Sequence, residues 1–173
     1  MSFSGVRLRQ PRITFSERMT VYVDGFPVPL LAMPGPTPGN IWVHLPDARV
    51  VFTGDSVVLG QPLYLGQVQS KAWLNSLTLL RRPRFAADVI VPGRGPLTDK
   101  EATQQVSELV RYLRRRVQRL YSAGRARAEI ADIVPGVLEQ LAIPPEQEDV
   151  HRRFKLGLES IYDELRLEDE ADS

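Results

Sequence analysis

The sequence predicts an α+β domain, and three observations carry the prediction. Short apolar runs with period-two alternation crowd the first third of the chain. Apolar residues at helical spacing dominate everything after Lys100. Between the two lies one strand–helix–strand passage, and no repeat, low-complexity tract or long linker interrupts the order. With 173 residues, 43% of them hydrophobic, the chain is long enough to bury one sizeable core, so a single domain is expected.

From Ile13 to Met33, Met19, Val21 and Val23 alternate with Thr20 and Tyr22, and Val28, Leu30 and Leu31 follow after Asp24-Gly25. Asp-Gly between two such runs is a tight hairpin signal. The stretch Pro34–Gly39 carries three prolines and cannot continue a hydrogen-bonded ladder, so it is a loop of fixed shape. Ile41–Leu45 and Arg49–Phe52 are two further strands joined at Pro46-Asp47, with the second ending at Gly54-Asp55. Trp73, Leu74, Leu77 and Leu80 share a helical face, and Asp88–Val91 is a returning strand closed by Pro92-Gly93. Val106, Leu109, Val110, Leu113, Val117, Leu120 and Tyr121 form the apolar stripe of a helix that Gly124 stops. Shorter helices are expected over Ala126–Ile133 and around Val137–Leu141. A last one opens at Pro144-Pro145, with Val150, Phe154, Leu158, Ile161 and Leu165 facing inward. Residues 1–10 form an N-terminal extension, 11–167 the domain, and 168–173 a frayed acidic tail.

Composition excludes several classes. A net charge of +1 gives no whole-chain attraction to nucleic acid or to acidic partners. Without cysteine there is neither a disulfide framework nor a thiolate zinc site, which suits a reducing compartment. No apolar core of a signal peptide and no membrane-length apolar run is present, so a cytoplasmic protein without membrane contact is expected. Ser56, Ser70 and Ser76 have no histidine or lysine at nucleophile-elbow spacing. The only histidines, His44 and His151, stand far apart and are expected to be structural or surface residues. Trp42 and Trp73 are expected in packing.

Three stretches carry a resemblance: Pro34-Gly35-Pro36-Thr37-Pro38-Gly39-Asn40, Phe52-Thr53-Gly54-Asp55 and Pro92-Gly93-Arg94-Gly95. In order and spacing they resemble the Pro-Gly-His-Thr-Pro-Gly loop, Phe-Thr-Gly-Asp strand end and Pro-Gly-His-Gly loop of the metallo-β-lactamase superfamily, in particular its glyoxalase-II-like hydrolases. The segment His151–Leu165 resembles that family's closing helix. The resemblance implies half of an αββα sandwich, a mixed sheet with helices on one face, whose other sheet face would be covered by dimerisation. It also implies a vanished metal site. Asp55 occupies the position of the bridging aspartate, while Pro36 and Arg94 replace the histidines, and neither can ligate a metal ion. The family's His-x-His-x-Asp-His motif has no counterpart in this chain. No catalytic residue and no metal cofactor is therefore expected; zinc or another divalent ion would enter only through a site completed from elsewhere.

A carboxylate beside an apolar strand carries a desolvation cost, and two readings stand: Asp55 and Arg94 form an ion pair in the old metal position, or both simply face water. The functional expectation is a non-catalytic, homodimeric binding or assembly protein with no identified small ligand. A hydrolase with an altered or partner-completed metal site is the first alternative. A second is a nucleic-acid-binding subunit using the arginine-rich stretch 111–127, through Arg111, Arg114, Arg115 and Arg119. For that stretch a solvated helix face is the plainer expectation, because the arginines spread around the polar side and flanks of an amphipathic helix and no Gly-rich clamp accompanies them. The loop Gly60–Gly66 is expected to line a pocket or a dimer contact.

Overall fold

The structure is a computed structural model that describes residues 5, 7, 9–144 and 146–172. Its elements run β1 (Arg18–Val23), β2 (Phe26–Ala32), β3 (Ile41–Leu45), β4 (Val50–Val58), α1 (Ser70–Arg81), β5 (Val89–Arg94), α2 (Thr103–Ser122), α3 (Ile130–Gln140) and α4 (Glu148–Asp172). The five strands form one sheet in sequence order. Neighbours are antiparallel from β1 to β4, whereas β4 and β5 are parallel and are linked through α1. The hairpin signal at Asp24-Gly25 is realised, with both residues at positive φ between β1 and β2.

Alternation divides the sheet into two unlike faces. On one side Trp42, Val51 and Ile90 are wholly buried beneath the helices, together with Leu77, Leu80, Val110 and Leu113. His44 belongs to this side: its Nε2–H donates to the Ala86 carbonyl at 2.8 Å, and its ring stacks on Phe85 with centroids 4.4 Å apart. The other side carries an unbroken row, Met19–Leu30–Val43–Phe52–Val91, that crosses all five strands in register. A second row, Leu45–Val50–Val89, runs beside it. No element packs on these rows among the described residues, and Phe52 is 42% exposed and Phe26 73%.

Two boundaries differ from the sequence expectation. β4 continues past Gly54-Asp55 to Val58, because register shifts on either side of Gly54, itself at φ +54°, let the strand bend and resume pairing at Val58–Arg94. β5 correspondingly runs through Pro92, which an edge strand tolerates. The two short helices expected after Gly124 are a single-turn 3₁₀ segment, Arg127–Glu129, leading into α3. Pro135 removes one donor inside α3, and the buried Val134, Val137 and Leu138 hold the helix together across it.

α4 is longer than the apolar stripe alone suggests. Residues 168–172, expected to fray, remain helical, and Glu168 pairs with Arg114 at 2.5 Å and Lys71 at 3.6 Å. Ser173, Pro145 and most of the proposed 1–10 extension lie outside the described residues. One turn before Glu168, Glu164 takes the part of an N-cap for α1. Gln69, in the capping position, supplies no side-chain bond; instead the Glu164 carboxylate accepts from Ser70 N at 2.9 Å and Lys71 N at 3.0 Å. It also accepts from the Ser70 hydroxyl and faces Arg114 Nη1 at 3.2 Å. An anion at a helix N-terminus satisfies orphan donors and complements the macrodipole, so this contact ties α1, α2 and α4 into one layer.

Two substitutions test these attachments. Glu164→Ala strips charge-assisted bonds from α1 and leaves half-buried Arg114 with fewer partners, so unfolding stability should fall by about 2–3 kcal/mol in a denaturant titration. Gly93→Ala is expected to cost about 1–3 kcal/mol, because an added Cβ would lie 2.3 Å from Asp55 Oδ1 and 2.6 Å from the Gly54 carbonyl carbon. A melting temperature unchanged by Gly93→Ala would mean that β4 and β5 part readily here.

Candidate functional site

The three sequence stretches singled out above converge at the end of the sheet where β4 bends. The loop 34–40 is pinned from several sides. Asn40 Nδ2 donates to the Met33 carbonyl at 3.0 Å and to Ser56 Oγ at 2.7 Å. The Ser76 hydroxyl donates to the Pro34 carbonyl at 3.0 Å, and Gln69 N to that of Gly35 at 3.2 Å. Trp73, fully buried, donates its indole N–H to the Ser56 carbonyl at 3.0 Å. Gly35 has no room for a side chain, since a Cβ there would meet Ser56 Oγ at 2.9 Å. Pro36 is thereby held, buried, in a rigid loop braced against the residue after Asp55.

Across the β4–β5 seam, Arg94 Nη2 lies 3.4 Å from Asp55 Oδ2. This is one long contact with one oxygen, and the two side chains are 35% and 40% exposed. Such a pair contributes at most about 1 kcal/mol. Thr53 anchors the same seam by donating its hydroxyl to the Val91 carbonyl at 3.2 Å. The bonds that position the site come from Asn40, Ser56, Trp73 and Ser76, none of which the sequence reading assigned to it. Their one sequence signal is Asn40 closing the loop motif; the other partners meet only through the fold.

The residues present do not fit a divalent metal. Of Pro36, Asp55 and Arg94 only Asp55 offers a donor atom, and a guanidinium already faces it. A catalytic ion needs about three protein ligands and an open position. Among the described residues no group of three or more histidine, cysteine, aspartate or glutamate side chains is placed to hold one. His151, at the start of α4, is occupied with the Pro144 carbonyl, to which its Nε2 lies at 3.1 Å.

The loop 60–66 lines a cavity of about 400 Å³ through Gly60, Gln61, Pro62 and Leu63. Its remaining walls come from β4, α2 and the α3–α4 turn, and no ionisable side chain lines it. Neither Pro36, Asp55 nor Arg94 reaches it. The arginine stretch is sorted by the fold as well. Arg114 is taken up by Glu164 and Glu168, Arg125 by Glu129 and Asp132, and Arg127 by Glu159 and Asp163. Arg111, Arg115, Arg116 and Arg119 have no ion pair among the described residues, and the Arg116 Nε is buried without a hydrogen-bond partner. Trp42 packs edge-on against Phe85, ring centroids 6.2 Å apart. No helix of the described residues is long and apolar enough to cross a membrane.

Solved structures share this architecture. A metallo-beta-lactamase family protein from Thermus thermophilus superposes with a TM-score of 0.63 at 19% identity, over 94% of this chain and 51% of its own. For a metallo-beta-lactamase from Pontibacter korlensis the TM-score is 0.52 at 23% identity, over 60% of this chain and 50% of that one. The stereoselective inverting sec-alkylsulfatase Pisa1 from Pseudomonas sp. gives 0.57 at 16% identity, covering 89% of this chain and 26% of its own. The chain thus spans about half the length of the first two and about a quarter of the third. No curated protein matches it. The family model described as "Metallo-beta-lactamase superfamily" matches residues 3–94, which include the first two site stretches, the third as far as Arg94, and more than half of the chain. The five-stranded mixed sheet, the helices on one face and that match make this chain a member of the metallo-beta-lactamase superfamily.

Proposed function

We propose that this chain is a non-catalytic member of its superfamily that works as a homodimeric binding or assembly unit. The observation that carries the proposal is the uncovered face of the sheet. Its rows Met19–Leu30–Val43–Phe52–Val91 and Leu45–Val50–Val89 hold no charged or polar side chain. A contiguous apolar patch of this kind on a protein in water marks a surface that another surface covers. A two-fold interface brings a patch against its own copy, so like charges facing one another would oppose it. These rows have none. Two such sheets stacked at about 10 Å would give a four-layer sandwich with helices outside.

The donor set supports the absence of catalysis. A prolyl ring and a guanidinium stand where ligands are needed, and the Asp55 carboxylate is engaged by Arg94. Water activation of the metallohydrolase kind needs a bound ion to lower the pKa of water, and these residues cannot supply its coordination.

Both parts are open to direct measurement. Light scattering on the purified full chain at micromolar concentration should give twice the 19.5 kDa chain mass. Phe52→Lys should shift it toward one chain mass without loss of helical circular dichroism. A stable monomer in the unaltered protein overturns the dimer. Elemental analysis should find less than stoichiometric zinc, iron and manganese, and a full equivalent of any of them, retained through dialysis, overturns the non-catalytic reading in favour of a completed hydrolase site.

A further inference from the structure

The outward side of α2 carries a different kind of surface. Once Arg114, Arg125 and Arg127 are matched with acids, Arg111, Arg115 and Arg119 remain as an unpaired line at helical spacing of four. They span about 12 Å along the helix. Residues so spaced are neighbours, and like charges there repel unless an anion intervenes. Arg81, at the end of α1, adds a further cation: its Nη1 donates to buried Ser107 Oγ at 2.6 Å, which fixes it beside α2. Burial holds the Arg81 pKa below the ordinary arginine value, and the nearby charge of Arg111 lowers it further. A shallow cleft of about 210 Å³ opens between Arg111, Arg114, Arg115 and Gln118. Glu164 and Glu168 of α4 are paired with Arg114, and Glu108, one turn before Arg111, accepts from the neutral Gln104 amide and forms no ion pair among the described residues.

We infer that the ridge Arg111–Arg115–Arg119, with Arg81 at one end, is a docking surface for the phosphate backbone of a nucleic-acid duplex. The ligand must be polyanionic, because several guanidinium groups in line answer a charge that repeats rather than a single carboxylate. Among the described residues the exposed large hydrophobic side chains lie elsewhere, on the strands of the sheet, on Ile13, Tyr64 and Leu97 outside the regular elements and on Leu156 and Leu167 of α4. The ridge therefore lacks the apolar wedge that a membrane-surface helix inserts and the aromatic anchor that a protein partner would grip. It also lacks exposed rings on which unpaired bases could stack, which favours a duplex over a single strand. Contact of this kind positions a backbone without reading its sequence.

Fluorescence anisotropy with a labelled duplex of mixed sequence tests the inference on the full chain. Affinity should fall with salt, with a log–log slope of about −3 for three or four neutralised phosphates. The triple variant Arg111→Gln, Arg115→Gln, Arg119→Gln loses no internal ion pair and should weaken binding at low salt at least tenfold, with the slope moving close to zero. Lysines at the same positions should restore most of it. A control, Arg125→Gln, removes a paired arginine and should leave the slope unchanged. Absence of duplex binding near 50 mM salt overturns the proposal, as does a triple variant that keeps the wild-type slope. Tighter binding to vesicles rich in phosphatidylserine than to the duplex would assign the ridge to a membrane instead and equally overturn it.

Discussion

The parallel pairing of β4 with β5 constrains everything else in the molecule. Parallel neighbours cannot be joined by a hairpin, and the crossover that joins them here is α1, laid on one side of the sheet. That choice of side decides where Trp42, Val51 and Ile90 find cover, and α2 and α4 then pack against the layer already begun. The antiparallel strands before β4 are joined by two tight turns and the loop 33–40, with no helix between them. All the helices thus gather on one side, and the apolar rows on the other are left bare.

The same pairing builds the site. β4 and β5 come so close beside Asp55 that only glycine fits at position 93, and the bend at Gly54 turns Asp55 toward Arg94. The loop carrying Pro36 is fastened by Asn40, Ser56, Trp73 and Ser76, a framework stiff enough to hold ligands in place if ligands were there. Of Pro36, Asp55 and Arg94 in this scaffold, only Asp55 carries a metal-donor atom. A weak, half-exposed ion pair is enough to neutralise Asp55, and it leaves the seam's stability to the backbone ladder and the buried residues beneath.

Much of the fold was legible because its signals are local. The Asp24-Gly25 turn, the alternation of Met19, Val21 and Val23, and the stripe from Val106 to Tyr121 each specify an element by themselves. The errors arose where tertiary contact overrides local pattern. Residues 168–172 look like a charged tail, yet Arg114 and Lys71 hold Glu168 in the helix. Pro135 looks like a helix boundary, but core contacts carry α3 through it. For the site, the motif residues Pro36, Asp55 and Arg94 could be placed by resemblance, whereas the bracing by Trp73 and Ser76 depends on how α1 lies across the loop. Likewise the arginine count in 111–127 reveals nothing about pairing, and only the position of α4 separates Arg114 from Arg111, Arg115 and Arg119.

The capping of α1 by Glu164 also has a consequence for the order in which the chain acquires its shape. During synthesis, the sheet is complete once residue 94 has emerged, but the N-terminus of α1 stays without its anion until residue 164 follows. For the intervening stretch of roughly seventy residues, about five seconds of elongation at the rates typical of ribosomes, α1 lies on the sheet without the carboxylate that caps it. It lies on the inner side from the start, and α2 and α4 then complete the layer. The capping contact therefore forms last, and the helical layer is locked in place only after α4 has been made.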